Sequence, residues 1–497
     1  MRKGNADMKK INVKEMMKKH KEQRTRNKKL LKHGTYSMVV TAVVIAIIVV
    51  LNLVVQEIPS KYREIDLSSQ KLYTIGEQTE KLLKGLKKDV ELYYIAQDGS
   101  ESSDIEKLLE KYEEGSKHVK VEQKDPAVYP QFAAQYTSES ISNNSIIVVC
   151  GEKSKVVDYN SMYETSINYQ TYSQEVTGFD GEGQLTSAIN YVVSENMPIL
   201  YTLEGHEEAS MSESMKEIVE KANIQMKSLN LLSEEAVPED AACLFIFAPA
   251  TDFTKDEADK IAEYLENGGK ALIVSNYTDK EMPNFEAVLE NYGVQPVEGI
   301  VVEGNTDNYV SQNPYYLLPN VESGEITSEL SSKSRYVLMP LAQGIRQTEN
   351  MRDTLEISSL LTTSDSAYSK TNLEEMQTME KEEGDISGPF DLAVSIRESV
   401  GEEKETQIAY FASAALFNDS MNAMVSGANY ELMSASLSWL CSTDDSSPIS
   451  IPVKSYDTTR LMVSTADINF WSIFVTGVIP VCILLIGFGI WIKRRKQ

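Results

Sequence analysis

The sequence predicts an α/β ectodomain, built from two successive sheet domains, between two transmembrane helices. Residues 37–55 and 470–492 are long apolar runs without a charged residue. At a helical rise of about 1.5 Å per residue, each run spans roughly the 30 Å hydrocarbon core of a bilayer. Between the two runs, strand-like apolar segments alternate with amphipathic helical segments, which is the order that produces α/β domains.

The charges that flank the apolar runs predict the topology. Residues 1–35 and 493–497 are rich in Lys and Arg, so by the positive-inside rule both termini face the cytoplasm. Residues 56–469 are then extracytoplasmic in a two-pass protein of the cell membrane, with transmembrane helices expected over 36–55 and 470–492. No small-x-small cleavage site follows the first run, so we expect an uncleaved anchor and not a signal peptide.

The charge balance excludes one class of partner. The net charge of −26 combines basic tails with an external part that is more acidic still. Such a surface repels phosphodiester backbones, so no nucleic acid is expected as a partner. The basic N-terminal tail is attracted to anionic lipid headgroups, either as a solvated orientation signal or as a lipid-facing helix. Membrane lipids are therefore expected partners.

The cysteines give no sign of redox or metal chemistry. Cys150, Cys243 and Cys441 lie in apolar or aromatic runs, and Cys482 lies in the second transmembrane run. There is no C-x-x-C motif, so neither a disulfide framework nor a zinc site is predicted. We expect no metal and no cofactor.

The first external domain, residues 56–195, is predicted to be thioredoxin-like. Thr74-Ile75-Gly76-Glu77 matches a capping box that opens a helix. The segments that follow are strands at 90–95, 119–123, 145–150 and 155–159, with helices at 105–112 and 130–136. That βαβαββ order matches a thioredoxin-like layout, and the missing dithiol means that redox activity is not implied.

The second domain, residues 196–445, is predicted to be a flavodoxin-like, doubly wound parallel sheet. Its predicted elements are strands at 199–203, 225–229, 243–248 and 271–275, with helices at 212–222 and from the capping box Thr254-Lys255-Asp256-Glu257. Gly268-Gly269 is expected to end the latter helix in left-handed geometry. Strands separated by helices of this length specify parallel pairing with right-handed crossovers.

The rest of the external region has weaker signals. A helix at 285–292, strands at 299–302, 390–396 and 406–411, and a helix at 430–440 are predicted. Residues 364–388 are rich in Ser, Thr, Glu and Met, which favours a mobile acidic loop. Residues 446–469 are interpreted as a stalk to the membrane, because their N-terminal part contains two prolines and several hydroxyl residues.

Several blocks along the chain resemble the Gldg family, membrane-anchored auxiliary components of ABC transport systems named for gliding motility. In order, the blocks are Asp66-Leu67-Ser68, Lys71-Leu72-Tyr73-Thr74-Ile75, Asp125-Pro126, Leu185-Thr186-Ser187-Ala188-Ile189, Glu204-Gly205-His206-Glu207, Ala248-Pro249, Gly268-Gly269-Lys270, Gly388-Pro389-Phe390, Trp439-Leu440 and Ile479-Pro480. The resemblance implies that the chain accompanies a cytoplasmic ATPase and a separate multi-span permease, and it implies no established catalytic residues.

The turn after the first strand of the second domain is the sharpest site candidate. Ligands of doubly wound sheets bind beyond the carboxyl ends of strands, where Glu204, Gly205, His206 and Glu207 fall. We interpret them as a partner- or ligand-binding turn and assign no catalytic residue. A metal or a carboxylate-oriented base at His206 is the alternative. It would make the chain a membrane-tethered hydrolase, while a cleft beside Gly205 would suit a solute-binding receptor.

Together with these observations, the resemblance implies a non-catalytic auxiliary subunit of an ABC transport system. No nucleotide-binding loop is present, because Gly268-Gly269-Lys270 ends a helix where a phosphate loop opens one. The external domains are expected to bind, gate or scaffold for a separately encoded permease and ATPase. Gly477, Gly487 and Gly489 on the second transmembrane helix are expected to face a protein partner, since close helix packing in lipid relies on small residues.

Overall fold

The computed structural model describes residues 41, 43–50, 74–138, 140–168, 173–310, 313–348, 351–373, 378–401, 404–442, 448–456, 474–478 and 480–481. The chain is a mixed α/β protein that divides into two compact units. The first comprises the described residues within 1–157 together with 188–193, and the second comprises the described residues within 158–187 and 194–497.

The first unit is built on a four-stranded sheet. Its elements are α1 (Glu77–Gly85), β1 (Val90–Ile95), α2 (Ser103–Gly115), β2 (Val119–Gln123), β3 (Ser145–Cys150) and β4 (Lys153–Val157). The strands lie in the order β2-β1-β3-β4, with β1 parallel to β2 and antiparallel to β3. The predicted strands at 90–95, 119–123 and 145–150 are confirmed, and α2 buries Ile105 and Tyr112.

Two predictions for this unit are wrong in detail. The first helix begins at Glu77 with Gly76 as its N-cap and no side-chain capping bond, so Thr74 does not open a capping box. The helix expected at 130–136 is only a single turn of 3-10 helix, Ala133–Gln135. Phe132 and Tyr136 lie with their ring centroids 4.8 Å and 6.0 Å from that of Tyr93. One turn is enough to bring both rings to Tyr93, so no longer helix is needed for this aromatic contact.

The second unit is built on a ten-stranded sheet with a parallel half. Its first elements are β5 (Tyr163–Asn168), β6 (Ser173–Phe179), α3 (Gly181–Val193, which continues into the first unit), β7 (Ile199–Leu203), α4 (Glu213–Lys221), β8 (Gln225–Leu229), β9 (Ala241–Phe247), α5 (Lys255–Glu266) and β10 (Lys270–Val274). Parallel pairing joins β7 to β8 and β9, and β9 to β10. The predicted parallel sheet is therefore present, and both predicted strands at 199–203 and 225–229 have the expected bounds.

The helix between β9 and β10 forms as its sequence predicts. Thr254 Oγ1 accepts from the amide of Glu257, and the Glu257 side chain accepts from the Thr254 amide, which completes the capping box. Ala258, Ile261 and Leu265 are buried on one face. Gly268 then has a φ of +86°, the left-handed conformation that glycine adopts without a steric penalty.

The remaining elements extend the sheet and build smaller ones. They are α6 (Pro283–Asn291), β11 (Val294–Pro296), β12 (Ile300–Val302), β13 (Tyr309–Val310), β14 (Asn313–Leu317), β15 (Asn320–Val321), α7 (Ser328–Ser332), β16 (Met339–Pro340), β17 (Ile345–Gln347), β18 (Leu355–Thr362), β19 (Tyr368–Lys370), β20 (Ile386–Ser387), β21 (Asp391–Val400), β22 (Lys404–Phe411), α8 (Asp419–Met424), α9 (Ala428–Cys441) and β23 (Lys454–Ser455). β22 pairs parallel with β10, whereas β21 and β18 add antiparallel strands beyond it.

The acidic segment 364–388 is ordered at its described ends, so its interpretation as a mobile, solvated loop is wrong there. β19 and β20 pair with each other, and β19 also pairs with β12. The Lys370 side chain is only 1% exposed and lies 2.6 Å from Glu382 and 3.1 Å from Asp385. A buried lysine therefore compensates part of the acidic charge and holds the segment against the unit.

The beginning of the predicted stalk also belongs to the folded unit. β23 pairs antiparallel with β6. Lys454 lies 2.8 Å from buried Glu182, and Lys221 donates to the carbonyl oxygen of Ile451 at 3.1 Å. Strand pairing and the contacts of two partly buried lysines therefore fix residues 448–456 in the folded unit, although the sequence interpretation assigned these residues to the stalk.

The predicted transmembrane segments lie largely outside the described residues, which include only 41, 43–50, 474–478 and 480–481 of them. Within the described part of the chain, no helix is both long enough and apolar enough to cross a membrane. The basic tail 1–35 and the glycines Gly487 and Gly489 also lie outside the described residues, and at Gly477 only the backbone is described.

Candidate functional site

The candidate turn lies at the point where successive strands of the parallel sheet are added on opposite sides of β7. The chain passes from β7 to β8 on one side of β7 and then returns to β9 on its other side. In doubly wound sheets the crevice at such a point, beyond the carboxyl ends of the strands, is the usual place for a binding site. Residues 204–208 leave the carboxyl end of β7 at this point.

The backbone of the turn needs unusual conformations at two positions. Gly205 has a φ of +131°, and Glu207 has a φ of +56°. The first value is essentially restricted to glycine, while the second is a left-handed conformation that is uncommon for a side chain such as glutamate. A Cβ atom at position 205 would also lie 3.3 Å from Nδ2 of the Asn230 side chain. The φ of Gly205 and the neighbouring Asn230 side chain therefore favour glycine at position 205.

Hydrogen bonds fix the turn in this conformation. Glu208 Oε2 accepts from the amides of Gly205 and His206 at 3.1 Å and 2.9 Å. The His206 carbonyl oxygen accepts from the amides of Ala250 and Thr251 at 2.9 Å and 3.2 Å. The first pair closes the turn on itself, and the second ties it to the segment that leaves β9.

The His206 side chain is buried beneath the turn. Its Nε2 lies 2.9 Å from Glu257 Oε1, and the two side chains are 6% and 1% exposed. The ring also packs edge-on against Phe253, with centroids 4.9 Å apart. Glu257 Oε2 accepts from both the amide and the hydroxyl of Thr254, at 2.9 Å and 2.7 Å. Glu257 thus caps α5 with one oxygen and holds His206 with the other.

The electrostatics of this contact favour an ionised Glu257. Burial opposes ionisation, but the hydrogen bonds from Thr254 and from His206 outweigh it and lower the pKa of Glu257. Because an ionised carboxylate can only accept, His206 Nε2–H donates to Glu257 Oε1. The arrangement orients the imidazole and joins the β7 turn to the first turn of α5.

The other members of the predicted site face solvent. Glu204, Gly205 and Glu207 are exposed. Ser228 donates to Glu204 Oε1 at 2.5 Å, and Lys280 lies 4.0 Å from Glu207 Oε2. The structure thus separates the four residues into a buried anchor, His206, and an exposed acidic rim. Among the described residues, no group of three or more His, Cys, Asp or Glu side chains could hold a metal ion.

Sequence reasoning missed two residues that define the site. Glu208 lies one position beyond the four residues of the predicted turn, although it is the side chain that closes the turn. Glu257 was identified as a capping residue without a link to His206, 51 positions earlier. The available signal was the parallel pairing of β7 with β9, since it places the segments after both strands at one edge of the sheet.

Two protein-family models match parts of the chain. A family model described as ABC-type uncharacterized transport system matches residues 180–436. A second model, described as a domain of unknown function, matches residues 69–163. No curated protein matches the chain.

The similar solved structures are distant. One titled "mmIFT52 N-terminal domain" is 16% identical with a TM-score of 0.36, and the likeness covers 50% of this chain and 98% of that one. PurLQS from Thermotoga maritima is 10% identical with a TM-score of 0.26, covering 49% of this chain and 100% of that one. At TM-scores this low, neither likeness carries an argument.

Proposed function

This chain belongs to the family of ABC transport auxiliary components described as ABC-type uncharacterized transport system, and we propose that it is a non-catalytic membrane subunit of such a system. Its extracytoplasmic domains would bind, gate or scaffold for a separately encoded permease and a cytoplasmic ATPase. The observation that carries the proposal is the family match over residues 180–436, which include the whole parallel half of the sheet and the β7 turn.

The β7 turn supplies a suitable contact surface for a partner. Glu204 and Glu207 are exposed on a turn whose backbone is fixed from below by Glu208 and His206. A rigid loop that presents charge loses little conformational entropy on binding and selects partners by electrostatic complementarity. We therefore assign the exposed carboxylates of this turn to a basic surface of the permease or of another subunit.

The membrane part of the proposal follows from the sequence. The expected transmembrane helices at 36–55 and 470–492 would anchor the chain as a two-pass protein of the cell membrane, with both termini in the cytoplasm and the basic tails against anionic lipid. Gly477, Gly487 and Gly489 would let the second helix approach a permease helix closely.

The buried position of His206 argues against the hydrolase alternative. A general base must reach the proton that it removes, but His206 Nε2 is already bonded to Glu257 and its side chain is 6% exposed. Replacement of His206 by Ala in a folded chain separates the two functions. A hydrolytic activity that the wild-type chain shows and the His206→Ala chain lacks would favour the hydrolase. A non-catalytic auxiliary subunit would show no such activity in either chain.

Purification of the full chain from native membranes in mild detergent tests the proposal directly. An ATPase and a multi-span permease should accompany it, and Glu207→Lys should reduce their recovery because it reverses a charge of the exposed turn. The matched control is Glu239→Lys, which changes another exposed acid, on the segment that enters β9 at the opposite edge of the sheet. Repeated recovery of the wild-type chain alone would refute the proposal.

A further inference from the structure

A cavity of about 490 Å³ opens at the carboxyl edge of the parallel strands in the second unit. Its wall includes Phe247 at the end of β9, Asn276 and Tyr277 after β10, and residues 413–415 and 417–419 after β22. The segment that follows the β7 turn also contributes. Its volume is within the range of small-molecule sites, and its location is the one that parallel α/β sheets use for ligands.

The wall of the cavity combines apolar and polar groups. Met215, Phe247 and Phe417 provide apolar surface, and Ser212 and Asn276 provide hydroxyl and amide groups. Asp419 is the acid among the described lining residues, which include no Lys, Arg or His. An anionic ligand would therefore meet a carboxylate with no compensating cation, which disfavours phosphates and carboxylates.

Side chains from two different helices hold the Asp419 carboxylate in place. Ser212, the N-cap of α4, donates from Oγ to Asp419 Oδ1 at 3.0 Å. The hydroxyl of Tyr430 in α9 donates to the same oxygen. Burial and this hydrogen bond raise the pKa of Tyr430, so its hydroxyl remains a donor. Among the described residues, both hydrogen bonds to this carboxylate are made to Oδ1, and no donor contacts Oδ2.

One wall of the cavity includes a strained position. Leu341 has a φ of +53°, and its side chain remains 46% exposed at the cavity. A leucine in the left-handed region costs free energy that the surrounding structure must offset, and such strain concentrates at binding and switching sites. The Leu341 amide donates to the Tyr315 carbonyl oxygen at 2.9 Å, which fixes the conformation.

We infer that this cavity binds a small organic cation, with the Asp419 carboxylate receiving its ammonium group and the apolar wall receiving its hydrocarbon part. The two hydroxyl donors on Oδ1 orient the carboxylate before the ligand arrives, so little ordering remains for the binding step. This inference goes beyond the proposed auxiliary role and does not depend on it.

Three probes that share a benzyl or phenyl group but differ in charge test the inference on the full-length chain. Benzylammonium, benzyl alcohol and benzoate are compared by ligand-observed NMR titration. We expect benzylammonium to bind about tenfold more tightly than benzyl alcohol, because charge-assisted hydrogen bonds stabilise by more than neutral ones. Benzoate is expected to bind most weakly.

Variants of the chain test whether the preference for benzylammonium arises in the cavity. Asp419→Asn should remove the tenfold preference, whereas Asp353→Asn, at an exposed aspartate outside the cavity, should retain it. If Asp419→Asn does not fold, Ala415→Leu serves instead, because it fills the cavity and should weaken binding of the cation and of the alcohol alike.

Four results would overturn the inference. They are equal binding of the cation and the alcohol, tightest binding of benzoate, a preference that survives in Asp419→Asn, and no binding of any probe at millimolar concentration. Recovery of a permease and an ATPase is measured on the same Asp419→Asn chain. If the variant loses the preference for the cation but still recovers the permease and the ATPase, the two claims are independent. The opposite result, a retained preference with lost recovery, also distinguishes them.

Discussion

His206 Nε2 lies 2.9 Å from Glu257 Oε1, so one buried hydrogen bond joins the turn after β7 to the first turn of α5. The same glutamate accepts from Thr254 through its other oxygen. The conformation of the exposed turn and the capping of the helix are therefore coupled through a single carboxylate. Loss of either partner should affect both elements.

Replacement of His206 by Ala should destabilise the second unit. The change removes a donor to a buried carboxylate and a ring that packs on Phe253, which together should lower the free energy of unfolding by about 3 kcal/mol. Urea denaturation followed by intrinsic fluorescence measures the loss. His118→Ala is the control, because His118 pairs with an exposed Asp89 and its loss should cost less than about 1 kcal/mol. Equal losses for the two variants would contradict the buried role of His206.

Glu257 should make the stability of the second unit depend on pH in the acid range. Its pKa is lower in the folded chain than in the unfolded one, despite burial, because Thr254 and His206 donate to it. A depressed acid pKa contributes stability that is present above the unfolded value of about 4.3 and is lost as the pH falls through the folded value. Thermal unfolding of the wild type should therefore show a Tm that declines below about pH 4.5 through this group.

Glu257→Gln tests the assignment of that pH dependence. Glutamine can still close a capping box but cannot ionise. The variant should be less stable at neutral pH and should lose less stability on acidification than the wild type. Asp353→Asn, at an exposed position, should leave the slope unchanged. An acid slope identical to that of the wild type in Glu257→Gln would show that other groups cause the effect.

The sequence alone was sufficient to predict the parallel half of the large sheet. β7 and β9 are apolar runs bounded by polar turns, and the capping box at Thr254 with the glycine at 268 marks both ends of α5. These are local signals, with a physical cause within a few residues of each boundary. They were enough to place the β7 turn at the carboxyl edge of the sheet.

The antiparallel extension and the partners of the site could not be predicted in the same way. β18 has an irregular burial pattern and two register shifts against β21, so it lacks the alternation that identifies a half-buried strand. The contact of His206 with Glu257 depends on how β7 and β9 align, which no local pattern specifies. The burial of Lys370 could not be predicted either, because in the sequence it is a single lysine within an acidic segment.

Lys370→Met should loosen the acidic segment. It removes the cation that lies 2.6 Å from Glu382 and 3.1 Å from Asp385 and leaves the latter, 5% exposed, as a buried charge without that partner. Such a loss costs about 3 to 5 kcal/mol. Hydrogen exchange over 378–387 should accelerate, whereas Lys381→Met, at an exposed lysine in the same segment, should change it little. The double variant Lys370→Met with Asp385→Asn should recover part of the protection, and its failure to do so would argue against the ion pair.

Lys454→Met should release the segment that precedes the second apolar run. Lys454 is 14% exposed and lies 2.8 Å from Glu182, which is 3% exposed, so its removal leaves a buried carboxylate without its lysine. Among the described residues, β23 pairs with β6 at Lys454 and Ser455, and the Tyr456 amide also donates to the Thr177 carbonyl oxygen at 2.7 Å. A cost of about 3 kcal/mol should exceed what so short a strand can offset. Trypsin cleavage or hydrogen exchange should show faster opening of 448–456 while the sheet stays protected.

Lys255→Met is the control for this prediction. It removes an exposed ion pair and should change neither measurement, because surface ion pairs contribute about 0 to 1 kcal/mol. Unchanged protection of 448–456 in Lys454→Met would mean that the other contacts of the segment, such as the one from Lys221 to the Ile451 carbonyl oxygen, hold it without Lys454.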